Sequence, residues 1–255
     1  MSAGRAGARR ALVRPPGLWQ MGRMRSALLA AALLSSLAAC APRAVIPDAE
    51  RERVYRELAG QQRFLRAATN VLPLYGDRSK VLLTDEPPGE LGLVLTGNGE
   101  PVAPPSVERI LPPGTPVRIR EVEFPTGWII AKRVVMSPRY HPWVYVDVPG
   151  ESRPGVVVLS QTAASYDEVR AELDRLLSTD DPSSFFAALP DDQKKAVRAK
   201  QLVEGMSPRA VELSWGLPEK KRIDRPAATE EWTWPDGKRT ASFQDERLVR
   251  WDDKK

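Results

Sequence analysis

Between residues 71 and 160 the chain carries fourteen prolines. Each lacks an amide hydrogen and holds φ at about −65°, so no long helix survives here and the apolar runs must be short strands joined by turns. The runs themselves agree. "WVYVDV" sets Val144, Val146 and Val148 against Trp143, Tyr145 and Asp147, the two-residue period of a strand. In "PPGTPVRIREVEF" the apolar positions change parity between Ile119 and Val122, which predicts a β-bulge at Arg120 and Glu121. In "LGLVLTGNGEPV", Asn98-Gly99 marks a hairpin turn. Gly97 and Gly99 are not a phosphate cradle, because no helix start follows them.

Helical signals lie on both sides of this β domain. From Asp48 to about Ala68 there is no proline, and Val54, Tyr55, Leu58, Leu65 and Ala68 fall near one face at helical spacing, with Gly60 in the middle. A helical spacer is expected there. "SYDEVRAELDRLL" opens with Ser165 and Glu168 as a capping box and places Tyr166, Val169, Leu173, Leu176 and Leu177 on one face. A further helix is expected in "PDDQKKAVRAKQLVEG", starting at Pro190, Asp191 and Asp192, with Lys200 in its last turns and Gly205 at its end. The basic run "KKAVRAK" reads as its solvated face.

In "VEGMSPRAVELSWGLP", Ser207 is an N-cap and Pro208 suits the first helical position. Met206 can staple onto Val211, and Gly216 and Pro218 stop the helix after about two turns. Downstream, Trp232 and Trp234 share one strand face and Pro235-Asp236-Gly237 forms a turn. Ala241 and Phe243 share the next face, and a turn over Gln244 to Arg247 leads to Leu248 and Val249. This is a short meander against two helices. It resembles the SmpA/OmlA family, the BamE-like outer-membrane lipoproteins associated with the β-barrel assembly machinery. Gly205, Met206, Ser207, Val211, Gly216, Pro218, Trp232, Trp234 and Phe243 stand at the family's motif positions. The likeness spans about residues 200 to 251 and implies an ααβββ fold. It departs from the family at Asp245-Glu246, where glycine is common, and in the long segment ahead of the motif. Met206, Trp215, Trp232, Trp234 and Phe243 are the candidate interaction residues, with core packing as the alternative role. The β domain, from the turn at Gly114 to the aromatic-valine strand, loosely resembles a bacterial SH3-like barrel.

The sole cysteine, Cys40, closes the run "RSALLAAALLSSLAAC". Arg23 and Arg25 precede fourteen small or apolar residues, too few to span a bilayer comfortably, where about 20 are needed. That is the layout of a signal peptide. Leu37, Ala38, Ala39 and Cys40 resemble a lipobox, which implies cleavage before Cys40 and acylation of its sulfur and new N-terminus. Several acyl chains would hold the protein on a membrane stably, at about 0.8 kcal/mol per buried methylene. Ala41 after the cysteine implies transfer to the outer membrane, with the chain facing the periplasm. Translation from Met21 or Met24 would give a more usual signal.

Removal of residues 1–39 changes the charge balance. The formal net charge is +5, but that segment holds six arginines and no acid, leaving 32 basic against 33 acidic residues. The net of −1 removes the electrostatic basis for nucleic-acid binding. With no second cysteine there is no intrachain disulfide, and one histidine, His141, does not make a Cys/His zinc site. No Gly-x-Ser-x-Gly, Ser-x-x-Lys, dinucleotide or P-loop motif occurs. His141, in "RYHPW", reads as a turn histidine rather than a triad member.

The expected organisation is α+β: a signal over 1–39, an anchor and helical spacer over 40–70, an all-β domain over 71–160, and helices with a BamE-like α+β domain over 161–255. The expected function is a non-catalytic, lipid-anchored scaffold in outer-membrane assembly or maintenance. It needs no metal and no cofactor beyond the lipid on Cys40, and it partners another envelope protein such as the β-barrel assembly machinery. The alternative is a peptidoglycan-binding lipoprotein in which Trp128, Trp143 and Tyr145 stack on glycan. A third reading, a hydrolase built on carboxylates, requires a concave cluster of acids.

Overall fold

A computed structural model describes residues 45–253, which lie in one compact unit, Pro42–Lys255. Leu37, Ala38, Ala39 and Cys40 fall outside the described residues. The fold is α+β. Helix α1 (Asp48–Leu58) leads into strands β1 (Gln62–Leu65), β2 (Thr69–Leu74), β3 (Asp77–Thr84), β4 (Arg109–Leu111) and β5 (Pro116–Glu123). Then come α2 (Gly127–Lys132), β6 (Trp143–Asp147), β7 (Gly155–Val158), α3 (Tyr166–Leu176) and β8 (Leu177–Ser178). The C-terminal part holds α4 (Ser183–Ala188), α5 (Asp191–Arg198), α6 (Pro208–Trp215) and strands β9 (Lys220–Asp224), β10 (Thr229–Thr233), β11 (Arg239–Gln244) and β12 (Arg247–Asp253). None of the described helices is long and apolar enough to cross a membrane.

The larger sheet runs β4-β2-β3-β7-β6-β5-β1-β8. Its neighbours are antiparallel except β3 and β7, where Val81 faces Gly155 and Leu82 faces Val156 in a parallel pair. Strand alternation sorts the side chains onto two buried faces. Val71, Val81, Leu83, Val144, Val146 and Val157 pack with Val54 and Leu58 of α1 and Val169 and Leu173 of α3. On the opposite face Leu72, Leu82, Trp143 and Val156 pack with Leu91 and Val94. Each such apolar side chain contributes roughly 1.5–3 kcal/mol when fully buried. The β5–β6 register slips between Ile119 and Glu121, the bulge expected from the parity change. At the expected hairpin, Gly99 (φ 83°) turns the chain, but only one bridge forms, Leu95 with Pro101.

The sheet is wider than the 71–160 segment, because β1 and β8 come from its flanks. The spacer helix accordingly stops at Leu58. Gly60 takes φ 81° and its N–H donates to Ile119 O at 2.7 Å, turning the chain into register with β5. Leu65 is therefore a strand residue, since pairing with β5 outweighs the helical spacing. α5 likewise ends at Arg198, short of Gly205. Ala199 leaves the helical region and Lys200 adopts φ 54°, a left-handed conformation uncommon outside glycine.

The second sheet is ordered β12-β11-β10-β9. Ser207 Oγ accepts from Ala210 N–H at 3.3 Å with Pro208 first in α6, as its sequence implies. Met206 and Val211 share a core with Trp215, Trp232, Trp234, Ala241, Phe243 and Leu248. The outer face is polar: Arg222, Glu231, Ser242 and Arg250 stand side by side in the register. The meander has four strands rather than three. β9, "KKRID", is exposed throughout and shows no apolar alternation. It is held by backbone pairing with β10, and its lysines and arginine discourage further pairing at the edge.

Candidate functional site

The sequence-derived interaction residues come together, but inside. Trp215 and Trp234 meet edge to face at 5.1 Å between centroids, Trp232 and Phe243 lie 4.7 Å apart, and Met206 is fully buried. They form the core of the C-terminal module and offer no side-chain surface to a partner.

The glycan-stacking set is separated by burial. Trp143 is 2% exposed, its Nε1–H donates to Pro138 O at 3.0 Å, and the Arg133 guanidinium covers its ring at 3.7 Å. Tyr145 is half-buried and meets Trp143 edge to face at 6.2 Å. Stacking on a sugar needs an accessible ring, and of the three only Trp128, 69% exposed, stands open to solvent.

Trp128, with the Lys132 ammonium 4.7 Å from its ring centroid, begins a run of exposed apolar side chains on α2 and the segment after it, here called the ridge. Val134, Val135 and Met136 follow α2 and are exposed, Val135 to 69%. The ridge is firmly mounted. Arg133 is buried and donates to Glu123 Oε1 at 2.6 Å, to His141 O at 2.7 Å and to Arg139 O at 3.1 Å. A Cβ at Gly76 would stand 2.9 Å from Val134 Cγ1, so the glycine of the β2–β3 turn allows the ridge to rest there. Thr126 Oγ1 caps α2 by accepting from Ile129 N–H.

A cleft of about 400 Å³ opens beside the C-terminal ends of β3 and β7. The two strands run parallel, but the chain leaves them in different directions, through Asp85-Glu86 and through Leu159-Ser160 toward α3. That divergence opens a crevice at strand ends, as at topological switch points of α/β sheets. Leu82, Leu83, Leu91, Val157 and Leu176 give an apolar floor; Asp85, Glu86, His141, Ser160, Glu172 and Arg175 are the polar lining. The acid corner is fixed by its backbone. Glu86 N–H donates to Thr84 Oγ1 at 3.0 Å, and Asn70 Nδ2 donates to Glu86 O at 3.0 Å, both from buried side chains.

Burial pushes the carboxyls of Asp85, Glu86 and Glu172 above their ordinary values. Lys200 opposes this at Asp85, the Asp85 charge adds to it at Glu86, and the Ser160 N–H, 2.6 Å from Glu172 Oε2, opposes it at Glu172. Glu86 is exposed as a residue, yet the cleft walls crowd it enough for the desolvation to register. His141 is spoken for: Gln161 Nε2 lies 2.8 Å from its Nε2 and Leu159 O lies 2.8 Å from its Nδ1. The tautomer that satisfies both has the proton on Nδ1. Burial lowers its basicity, and neither ring nitrogen meets a serine or an acid, so the triad has no geometric support. No group of three His, Cys, Asp or Glu among the described residues is placed to hold a metal.

Beyond Asp85 the cleft meets the seam with the C-terminal module. The Asp85 carboxylate lies over Gly216, directly after α6. The carbonyls of Trp215, Gly216 and Leu217 are taken by Arg239 Nη1 at 3.5 Å, Trp234 Nε1 at 3.3 Å and Arg175 Nη2 at 3.2 Å. Lys200 Nζ donates to Ala68 O at 2.5 Å and Ser214 O at 3.1 Å, joining the β1–β2 connection to α6. Arg239 Nε stands 3.5 Å from Glu90 Oε2 and has no hydrogen-bond partner among the described residues. Sequence spacing gave no sign of this grouping, apart from the acid pair in "TDEPPGE" at the end of an apolar strand.

Comparison of the chain with protein-family profiles, curated proteins and solved structures found no match.

Proposed function

We propose that this chain is a lipid-anchored cell-envelope protein, held by acyl chains on Cys40 and acting as a non-catalytic interaction module in outer-membrane assembly or maintenance. The observation that carries the interaction role is the ridge of Trp128, Val134, Val135 and Met136. It exposes large apolar side chains on a mount fixed by buried Arg133, whereas Trp215, Trp232 and Trp234 are enclosed. Four large apolar side chains exposed within nine residues on an ordered support make a candidate contact site. The anchor rests on Leu37, Ala38, Ala39 and Cys40 alone.

We read the C-terminal module as BamE-like. Ser207 capping α6, Gly216 ending it, and Trp232, Trp234 and Phe243 filling its core support that reading. The fourth strand and the left-handed Asp245-Glu246 turn are its departures.

The test is crosslinking in intact cells, followed by affinity purification from detergent-solubilised membranes and mass spectrometry. It compares the wild-type chain with Cys40→Ser and with a Trp128→Ser/Val135→Ser variant. The expected result is recovery of a β-barrel assembly complex that is lost without Cys40 and reduced at least tenfold by the ridge variant, while the variant stays in the membrane fraction. Recovery only of wall fragments and their enzymes would replace the scaffold with the peptidoglycan reading. Membrane retention of Cys40→Ser would remove the anchor.

A further inference from the structure

The geometry points to the cleft at the ends of β3 and β7 as a binding site for a small organic ammonium compound with an apolar body. Its volume of about 400 Å³ is within the range of ligand pockets, which are largely apolar with a few placed polar groups. The inference is independent of the lipid anchor and the ridge.

The polar lining selects the ligand's charge. Three carboxylates, Asp85, Glu86 and Glu172, face one cation, Arg175, and Arg175 already donates to Leu217 O. Asp85 is turned over Gly216 toward the seam, where Lys200 and Arg239 act on it. Glu86 and Glu172 remain for a ligand. Glu172 uses Oε2 to accept from Ser160, and among the described residues neither its Oε1 nor the Glu86 carboxylate has a hydrogen-bond partner. Arg175 acts on both carboxyls and Arg239 on Glu86, but from beyond hydrogen-bonding distance. An ammonium group supplies three donors directly to these acceptors, whereas a carboxylate or phosphate would add to the repulsion. The apolar floor asks for a hydrocarbon portion alongside the amine.

The site is also rigid. The Asp85-Glu86 corner is fixed by buried Thr84 and Asn70, and Glu172 sits on α3, whose N-terminus is capped by Ser165. Acceptors held in place before binding lose little freedom when a ligand arrives.

The test is isothermal titration of the full chain, solubilised in detergent below the level that itself fills the cleft, with octylammonium, octanoate and octanol. The expected result is saturable one-to-one binding of octylammonium, at least tenfold tighter than octanol, with no measurable binding of octanoate. Glu86→Gln and Glu172→Gln should each weaken octylammonium about tenfold while unfolding at the wild-type temperature. Leu93 also lines the cleft, and Leu93→Trp, which fills it without altering its charge, should abolish binding and serves should either glutamine variant fail to fold. Equal binding of octanoate, no saturable binding of octylammonium, or unchanged binding by folded Glu86→Gln or Leu93→Trp would overturn the proposal.

Discussion

Replacement of Gly216 by alanine is expected to cost about 3 kcal/mol of folding stability, read as a shift of the urea unfolding midpoint with unchanged slope. Two causes add. Gly216 has φ 79° and ψ −176°, a region that side-chain-bearing residues hardly enter and that costs of order 1–3 kcal/mol when they do. A Cβ there would also run into the Asp85 carboxylate. Asp85 has little room to give way, because Glu86 beside it is bonded at both backbone ends to Thr84 and Asn70. The strain would act where Arg239, Trp234 and Arg175 hold the carbonyls of Trp215, Gly216 and Leu217 at the C-terminal end of α6, so the seam between the sheets would loosen with it. Gly205→Ala separates the two causes. Gly205 has φ 80° with open space where its Cβ would stand, so only the backbone cost of about 1 kcal/mol is expected. Asp85→Ala combined with Gly216→Ala should recover the steric part. Equal losses at Gly205 and Gly216 would show that Asp85 does not brace the glycine.

What was legible in the sequence is what local chemistry decides. Ser207-Pro208 and Ser165 start helices because a hydroxyl and a proline suit the first turn wherever they lie in space. The alternation at Trp143–Asp147 and the parity change before Val122 survive folding for the same reason. The elements that escaped depend on partners far along the chain. Gln62–Leu65 follows helical spacing and became a strand because β5 was there to pair with it. Lys220–Asp224 has no buried face and is a strand only through β10. The candidate site failed in both directions. Trp143, Trp232 and Trp234 attract notice as large aromatic rings, but the same apolar area that makes a ring a good contact drives it into a core. Asp85, Glu86, Glu172 and Lys200 are commonplace in sequence and gain meaning only when the fold removes water from around them.

Lys200 is the sharpest case, and its substitution by methionine is expected to cost about 3 kcal/mol at pH 7, the scale of leaving buried carbonyls without their charged donor. The variant would leave the carbonyls of Ala68 and Ser214 without a donor and Asp85 without the cation that offsets its burial. The pH dependence distinguishes this from a simple packing defect. Burial lowers the Lys200 pKa to about 8, with Asp85 pulling it up and Arg239 pushing it down. Its unfolded value is near 10.5. Below about 8 both states hold the proton and this group adds no slope. Between about 8 and 10.5 the unfolded chain binds more protons than the folded one, so stability rises with pH, by at most about 1.4 kcal/mol per unit. Lys200→Met loses that rise, and the gap between wild type and variant should therefore widen from pH 7.5 to pH 10 in urea unfolding. Differencing the two curves cancels the remaining lysines and tyrosines. A constant gap would mean that the Lys200 ammonium stays solvated, and the seam would then be held by Gly216, Trp234 and the arginines without it.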